Sequence, residues 1–338
     1  MMTLQNAHPA QRFIAPSSIQ HGVPLKELMD RKLVALIGES LAAVAPGFDV
    51  RRFQSRASKG LDKLELKERA LCIAHAMAEQ MPDSFDDVAP LLVKSFGPPL
   101  KATDGNGLAP FYYFPHTHLI AAYGVSSFDS GMTANYEVTK RFTAEFSIRP
   151  FLIQHRSKCL KVLKRWAKHD NAHVRRLVSE GTRPRLPWAM RLPEFQADPN
   201  LSLPLLELLK DDAELYVRRS VANHLGDIAK DHLEVALDVC EAWLKEVGRS
   251  DDEAVADNRR WIPAPPRETI FPGQTGDLGT YSRRGTGSAG SASILSRSAF
   301  WSRRFTASYC QASAYIAGYA DESEIRLQIH LSFSTAAS

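Results

Sequence analysis

The sequence has no long apolar run. Its longest, such as Leu33 to Ile37, falls far short of the roughly 20 residues a spanning helix needs, so no membrane partner is expected. The N-terminus, MMTLQNAHPAQRF, lacks the charged-then-apolar order of a secretion signal, and a cytoplasmic chain is expected. Cysteine is sparse: Cys72, Cys159, Cys240 and Cys310 lie 70 to 87 residues apart, without a CxxC pair or a Cys/His cluster. That spacing argues against a compact zinc site and against a disulfide scaffold. No metal and no organic cofactor is expected. Cys72, in the apolar run ALCIAHAM, reads as a buried core thiol. Alternating strand patterns are missing from residues 25 to 100.

Charge is present, but unevenly. The whole chain carries a formal +4. Lys140 to Arg191 holds 14 Lys or Arg against Glu145, Asp170 and Glu180, a net of +11. Leu192 to Asp257 holds 6 basic and 16 acidic residues, a net of −10. A concentrated basic band is the electrostatic footprint of a nucleic-acid binder, although a solvated helix face would also look basic.

Along the chain, helix formers at helical spacing dominate. PLKELMDRKLVALIGESLAAVAPGF reads as a helix ending at Pro46-Gly47, followed by LDKLELKERALCIAHAMAEQMP and FDDVAPLLVKSFGPP. A repeat then appears. WAKHDNAHVRRLVSEG and LKDDAELYVRRSVANH place their VRR triplets, at Val174 and Val217, 43 residues apart, with a weaker echo at Asn258 to Ile262. This period suits HEAT-like repeats, whose helix pairs stack side by side. The fold class expected is therefore an all-α HEAT-like helical repeat solenoid with an irregular C-terminal tail. The boundaries read as a flexible N-terminus over 1–24, the repeat domain over 25–262, a Pro/Gly/Ser/Arg-rich tail over 263–320 and an isolated strand-like end over 321–338.

Three carboxylates and one tryptophan stand out. Glu180 sits among Arg175, Arg176, Arg183 and Arg185, at the end of a helix that Gly181 should stop. A carboxylate there faces the negative end of the helix dipole, a local conflict more often tolerated at functional sites. Pro184 and Pro187 stiffen the segment presenting Trp188, which could equally be a packing residue. Asp227 emerges beside Asn223 and one turn before Lys230, where a plain Asp–Lys surface pair would also account for it. Glu145 could pair with Arg149 at i+4. The pairs Arg175–Arg176 and Arg218–Arg219 should line up along one surface if the repeat holds.

Four motifs in order, FYYFPHTHLIAAYG, TKRFTAEFSIRPFL, HVRRLVSEGTRPRLPW and YVRRSVANHLGDIAKDH, resemble the AlkC-type DNA alkylation repair glycosylases, relatives of AlkD in the HEAT-like-repeat superfamily. The resemblance runs from about residue 25 to Ile262. It implies excision of cationic N-alkylated bases, chiefly 3-methyladenine and 3-methylcytosine, from double-stranded DNA by a monomer. It implies Glu145, Glu180, Trp188 and Asp227 as the catalytic set. Arg149, Arg175, Arg176, Arg183, Arg185, Arg218, Arg219, Asn223 and Lys230 are then the residues expected to face DNA. The chain departs from the family after Ile262, where Pro263, Pro265 and Pro266 forbid the arginine-bearing helix that members continue. Some members carry an immunoglobulin-like domain, of which residues 321–338 would be a fragment. The rival reading is a non-catalytic repeat scaffold for nucleic acid or an acidic protein.

Overall fold

A computed structural model describes residues 7–247 and Asn258. Among the described residues the elements are all helical, as the period of the apolar residues requires. The chain divides after Gly181 into two compact units.

Among the described residues the first unit holds ten α-helices. They are α1 (Pro9–Arg12), α2 (Arg31–Ala42), α3 (Val50–Ser58), α4 (Leu66–Ala78), α5 (Phe85–Lys94), α6 (Phe114–Tyr123), α7 (Phe128–Thr139), α8 (Arg149–Gln154), α9 (Arg156–Trp166) and α10 (Ala172–Gly181). Helix α4 packs on α6 while α5 packs on α7, so equivalent members of successive pairs stack on each other. That is the contact pattern of a helical repeat. The second unit holds α11 (Pro193–Ala197), α12 (Leu203–Leu209), α13 (Leu215–Ala229) and α14 (Leu233–Val247), with α13 packed between α12 and α14.

Some boundaries differ from the sequence expectation, for local reasons. The first apolar stretch does not run unbroken from Pro24. A 3-10 turn at Leu25–Leu28 precedes α2, which starts anew because the Asp30 carboxylate accepts from the Leu33 amide at 2.8 Å. Helix α4 begins at Leu66 through a reciprocal capping box between Glu65 and Glu68. Helix α3, between these two, was not anticipated. Pro9–Arg12, expected within a flexible N-terminus, form α1, which packs on α2 with the capping Phe13 buried. Cys72 is only half-buried, whereas Cys159 and Cys240 lie in the core. Asn258 is helical; the rest of the third VRR echo, the tail over 263–320 and the strand-like end over 321–338 lie outside the described residues.

The core of the first unit is built by Leu33, Ile37, Phe53, Ile73 and Met77, all fully buried. Beside them lies the FYYFPHTH segment, with Tyr112, Phe114 and His116 inside. In the second unit Val217, Val221, Leu225 and Ile228 form the buried stripe of α13, as their spacing predicts. Each such side chain contributes roughly 1.5–3 kcal/mol when withdrawn from water.

Candidate active site

Helix α10 carries the first half of the HVRRLVSEGTRPRLPW motif. Its start is capped by Asn171, whose side-chain oxygen accepts from the amides of His173 at 2.9 Å and Val174 at 3.3 Å. Val174, Leu177, Val178 and Gly181 follow the i, i+3, i+4, i+7 pattern and face the core. Gly181 is not the left-handed stop its sequence position suggested. It belongs to the helix, and a Cβ there would lie 2.8 Å from Ile148 Cγ2. Its role is close packing, which holds the end of α10, and with it Glu180, against the segment before α8.

Around that end two carboxylates converge on one guanidinium. Arg176 Nη1 donates to Glu145 Oε2 at 2.8 Å, and Arg176 Nη2 lies 3.5 Å from Glu180 Oε1. Thr143 Oγ1 donates to the same Glu145 oxygen at 2.8 Å. Glu180 retains 6% side-chain exposure and Glu145 13%, so both sit where water screens poorly. Glu145 thus pairs with Arg176, 31 residues away, and not with Arg149. The pairing expected at i+4 fails because residues 142 to 148 form turns and bends, not a helix.

Arg149 itself is a correction. Expected to face DNA, it is fully buried, and its Nη1 donates to the Gly181 carbonyl at 3.1 Å. A cation at the C-terminus of α10 opposes the negative end of the dipole that Glu180 aggravates. This offsets the local conflict read from the sequence.

In the second unit Asp227 is 2% exposed, receiving Arg183 Nε at 2.9 Å on one oxygen and Lys230 Nζ at 3.2 Å on the other. It is no surface Asp–Lys pair, because the partner that matters is a buried arginine 44 residues away. Replacing one member of such a pair leaves an uncompensated buried charge. Arg185 grips Asp231 with two parallel bonds of 2.8 and 2.6 Å. The hydrogen bond from Arg185, countered in part by burial, holds the Asp231 carboxyl below its ordinary range. Asp231 is the acid that sequence reasoning passed over.

Trp188 is 58% exposed, and its backbone adopts φ 62°, the one non-glycine positive φ among the described residues. A bulky aromatic in the left-handed region is strained, and the indole is not consumed in core packing. With more than half of its surface in solvent, Trp188 is not a core residue.

The repeated arginine pairs divide their labour. Arg175 Nη1 donates to the carbonyls of His169 and Asp170, both at 2.8 Å. Arg218 Nη1 does the same one repeat later, to the carbonyls of Asp212 and Ala213. In each repeat the first arginine therefore pins the loop before its own helix. Arg218 is nearly buried, and desolvation lowers its pKa from the ordinary arginine value. Arg175 and Arg218, both expected to face DNA, thus use their guanidinium groups to hold backbone carbonyls. Arg219 and Asn223 are half-buried on α13, and Lys230 is exposed at its end. Among the described residues no His, Cys, Asp or Glu cluster could hold a metal ion, and no helix is long and apolar enough to cross a membrane.

Fold and site together define a helical-repeat protein with a basic band in sequence and carboxylates withdrawn from water beside arginines. The particular likeness is specific. The chain is 36% identical in the matched region to the DNA-bound alkylpurine DNA glycosylase AlkC of Pseudomonas fluorescens, with a TM-score of 0.62 over 73% of this chain and 63% of that one. It is 34% identical over 220 residues to the uncharacterized protein YhaZ of Bacillus subtilis, covering 65% of this chain and 59% of that protein. No family model matches the sequence. The chain is similar to AlkC, the family that the four motifs resemble, and spans only about three fifths of the length of these two proteins.

Proposed function

We propose that this chain is a DNA glycosylase that excises cationic N-alkylated bases, 3-methyladenine and 3-methylcytosine among them, from double-stranded DNA in the cytoplasm, acting as a monomer. The observation that carries the reading is the convergence of Glu145 and Glu180 on Arg176 at positions nearly closed to water. The AlkC likeness supports it, since that protein was captured on DNA with an abasic site analogue.

The chemistry follows from charge. Alkylation at a ring nitrogen makes the base cationic, so it leaves with the electron pair of the N-glycosidic bond and departs neutral. Positive charge passes to the anomeric carbon of the sugar. Carboxylates in a poorly screened setting stabilise both positions of that charge several-fold better than in water. Water then adds to the anomeric carbon, giving its proton to a carboxylate, for which Glu180 and Asp227 are the candidates. Trp188, held outward, supplies an aromatic face worth roughly 0.5–2 kcal/mol to a cation. Neutral bases gain nothing from these groups, which provides selectivity.

The test is base release from methylated duplex, resolving 3-methyladenine, 3-methylcytosine and 7-methylguanine, with Glu180→Gln and Asp227→Asn beside the unchanged chain. Under single-turnover conditions each amide should slow excision by about 10²-fold or more. Both amides should also lower the melting temperature, because Arg176 and Arg183 lose an anionic partner. Release of none of the three bases by the unchanged chain favours the scaffold. Near-normal excision by both variants, measured well below their melting temperatures, would remove these two acids from the mechanism and leave Glu145.

A further inference from the structure

With Arg149 buried, Arg175 committed to loop carbonyls, and Arg176, Arg183 and Arg185 paired with carboxylates, the basic band must present its charge elsewhere. It does so on α9. Lys161, Lys164, Arg165 and, just past the helix end, Lys168 are all exposed, and among the described residues their side chains make no hydrogen bond or ion pair. The opposite side of the same helix buries Cys159 and Leu163. At 100° per residue the four cations fall within one arc of roughly 100°, facing away from that buried side, with one or two per turn of about 5.4 Å.

No carboxylate interrupts this face. Residues 146 to 169 contain no Asp or Glu at all. An ordinary solvated helix mixes the two signs and gains from i, i+4 pairs of opposite charge. Here Lys161 and Arg165, and Lys164 and Lys168, are like-charge pairs at i+4, and Lys161–Lys164 and Arg165–Lys168 are like-charge pairs at i+3. Each disfavours the free helix. Arg156 opens the helix without a side-chain cap, at the positive end of the dipole. The arrangement costs the isolated chain stability, and a polyanion with closely repeated charges relieves it.

We propose that the exposed face of α9, through Lys161, Lys164, Arg165 and Lys168, is a docking surface for the phosphate backbone of double-stranded DNA, supplying sequence-independent affinity. The inference rests on the DNA-directed reading above, but it assigns the phosphate contacts to a helix that carries none of the residues expected to face DNA. Lysine suits this role, being a mobile point charge able to follow a backbone without selecting a base.

The experiment measures binding of an unmodified duplex across a salt series, for the full chain and for the Lys161→Ala, Lys164→Ala, Arg165→Ala, Lys168→Ala combination. Each lost contact lowers the slope of log affinity against log salt by roughly 0.9, so the fourfold variant should lose about 3 to 4 units of slope and on the order of tenfold or more in affinity. Its melting temperature should hold or rise, since like-charge repulsion is removed. An all-arginine version of the four positions should keep the slope. If the unchanged chain shows salt-dependent DNA binding and the fourfold variant keeps the same slope, the α9 assignment is overturned while the glycosylase reading stands. If the unchanged chain binds no DNA, both fall. Loss confined to single-stranded RNA, with duplex binding unmoved, overturns the assignment in favour of an RNA partner.

Discussion

Trp188 is where residue-level physics speaks most plainly. A tryptophan at φ 62° costs about 1–2 kcal/mol relative to an unstrained backbone, and here the side chain gains little burial in return. Such strain persists where the surrounding structure imposes it, commonly at sites that act. Glycine has no steric penalty at this φ, whereas alanine keeps nearly all of it. Trp188→Gly should therefore be more stable than Trp188→Ala by about 1 kcal/mol in thermal or denaturant unfolding, while both lose preference for alkylated over normal duplex. Equal stability of the two variants would mean that the backbone relaxes freely and the indole is not held by strain. None of this was legible beforehand. Pro184 and Pro187 announced a stiff segment, but the sign of φ at the residue that follows Pro187 is set by how the loop closes.

At the scale of the element, the repeat was legible and its use was not. The 43-residue spacing of the VRR triplets correctly put Val174 and Val217 on buried helix faces. Two adjacent arginines, however, point about 100° apart on a helix. The first reaches back to the preceding loop and the second, in α10, reaches Glu145 and Glu180. Sequence adjacency suggested a common target, and helical geometry denies it. Partners such as Arg176–Glu145 and Arg183–Asp227 lie 31 and 44 residues apart, so no local spacing rule could pair them. Since Arg175 and Arg218 each make two charge-assisted bonds to carbonyls, Arg175→Ala and Arg218→Ala should each destabilise by about 1.5–3 kcal/mol. The salt slope of DNA binding should stay close to that of the unchanged chain. A slope reduced by about 0.9 without loss of melting temperature would return these two arginines to the phosphates.

Over the whole molecule, the sequence showed an all-α chain with a charge imbalance, and the residues that answer to pH were hidden in a motif noticed for another reason. FYYFPHTH supported the family resemblance, yet in the structure it is core. His116 is fully buried, stacked on Tyr112 at a centroid distance of 5.6 Å and met edge-on by Phe96. Burial dominates its titration and pushes its pKa down to about 3, against an ordinary 6.5. The backbone carbonyl of Tyr112, which favours the protonated ring, acts the other way. The unfolded chain therefore takes up a proton at this residue below pH 6.5, and the folded chain does not until about pH 3. Stability attributable to His116 is fully present above pH 6.5 and is lost as pH falls toward 3, at a rate approaching about 1.4 kcal/mol per pH unit. Phenylalanine offers a ring of similar size to the same aromatic neighbours and has no proton to gain. His116→Phe should accordingly match the unchanged chain at pH 7 to within about 1–1.5 kcal/mol, and exceed it increasingly as the solution is acidified from pH 6 to pH 4. Urea unfolding at several pH values measures this directly. Parallel stability curves for the two chains across that interval would show that His116 is protonated in the folded state, and that its pocket admits water.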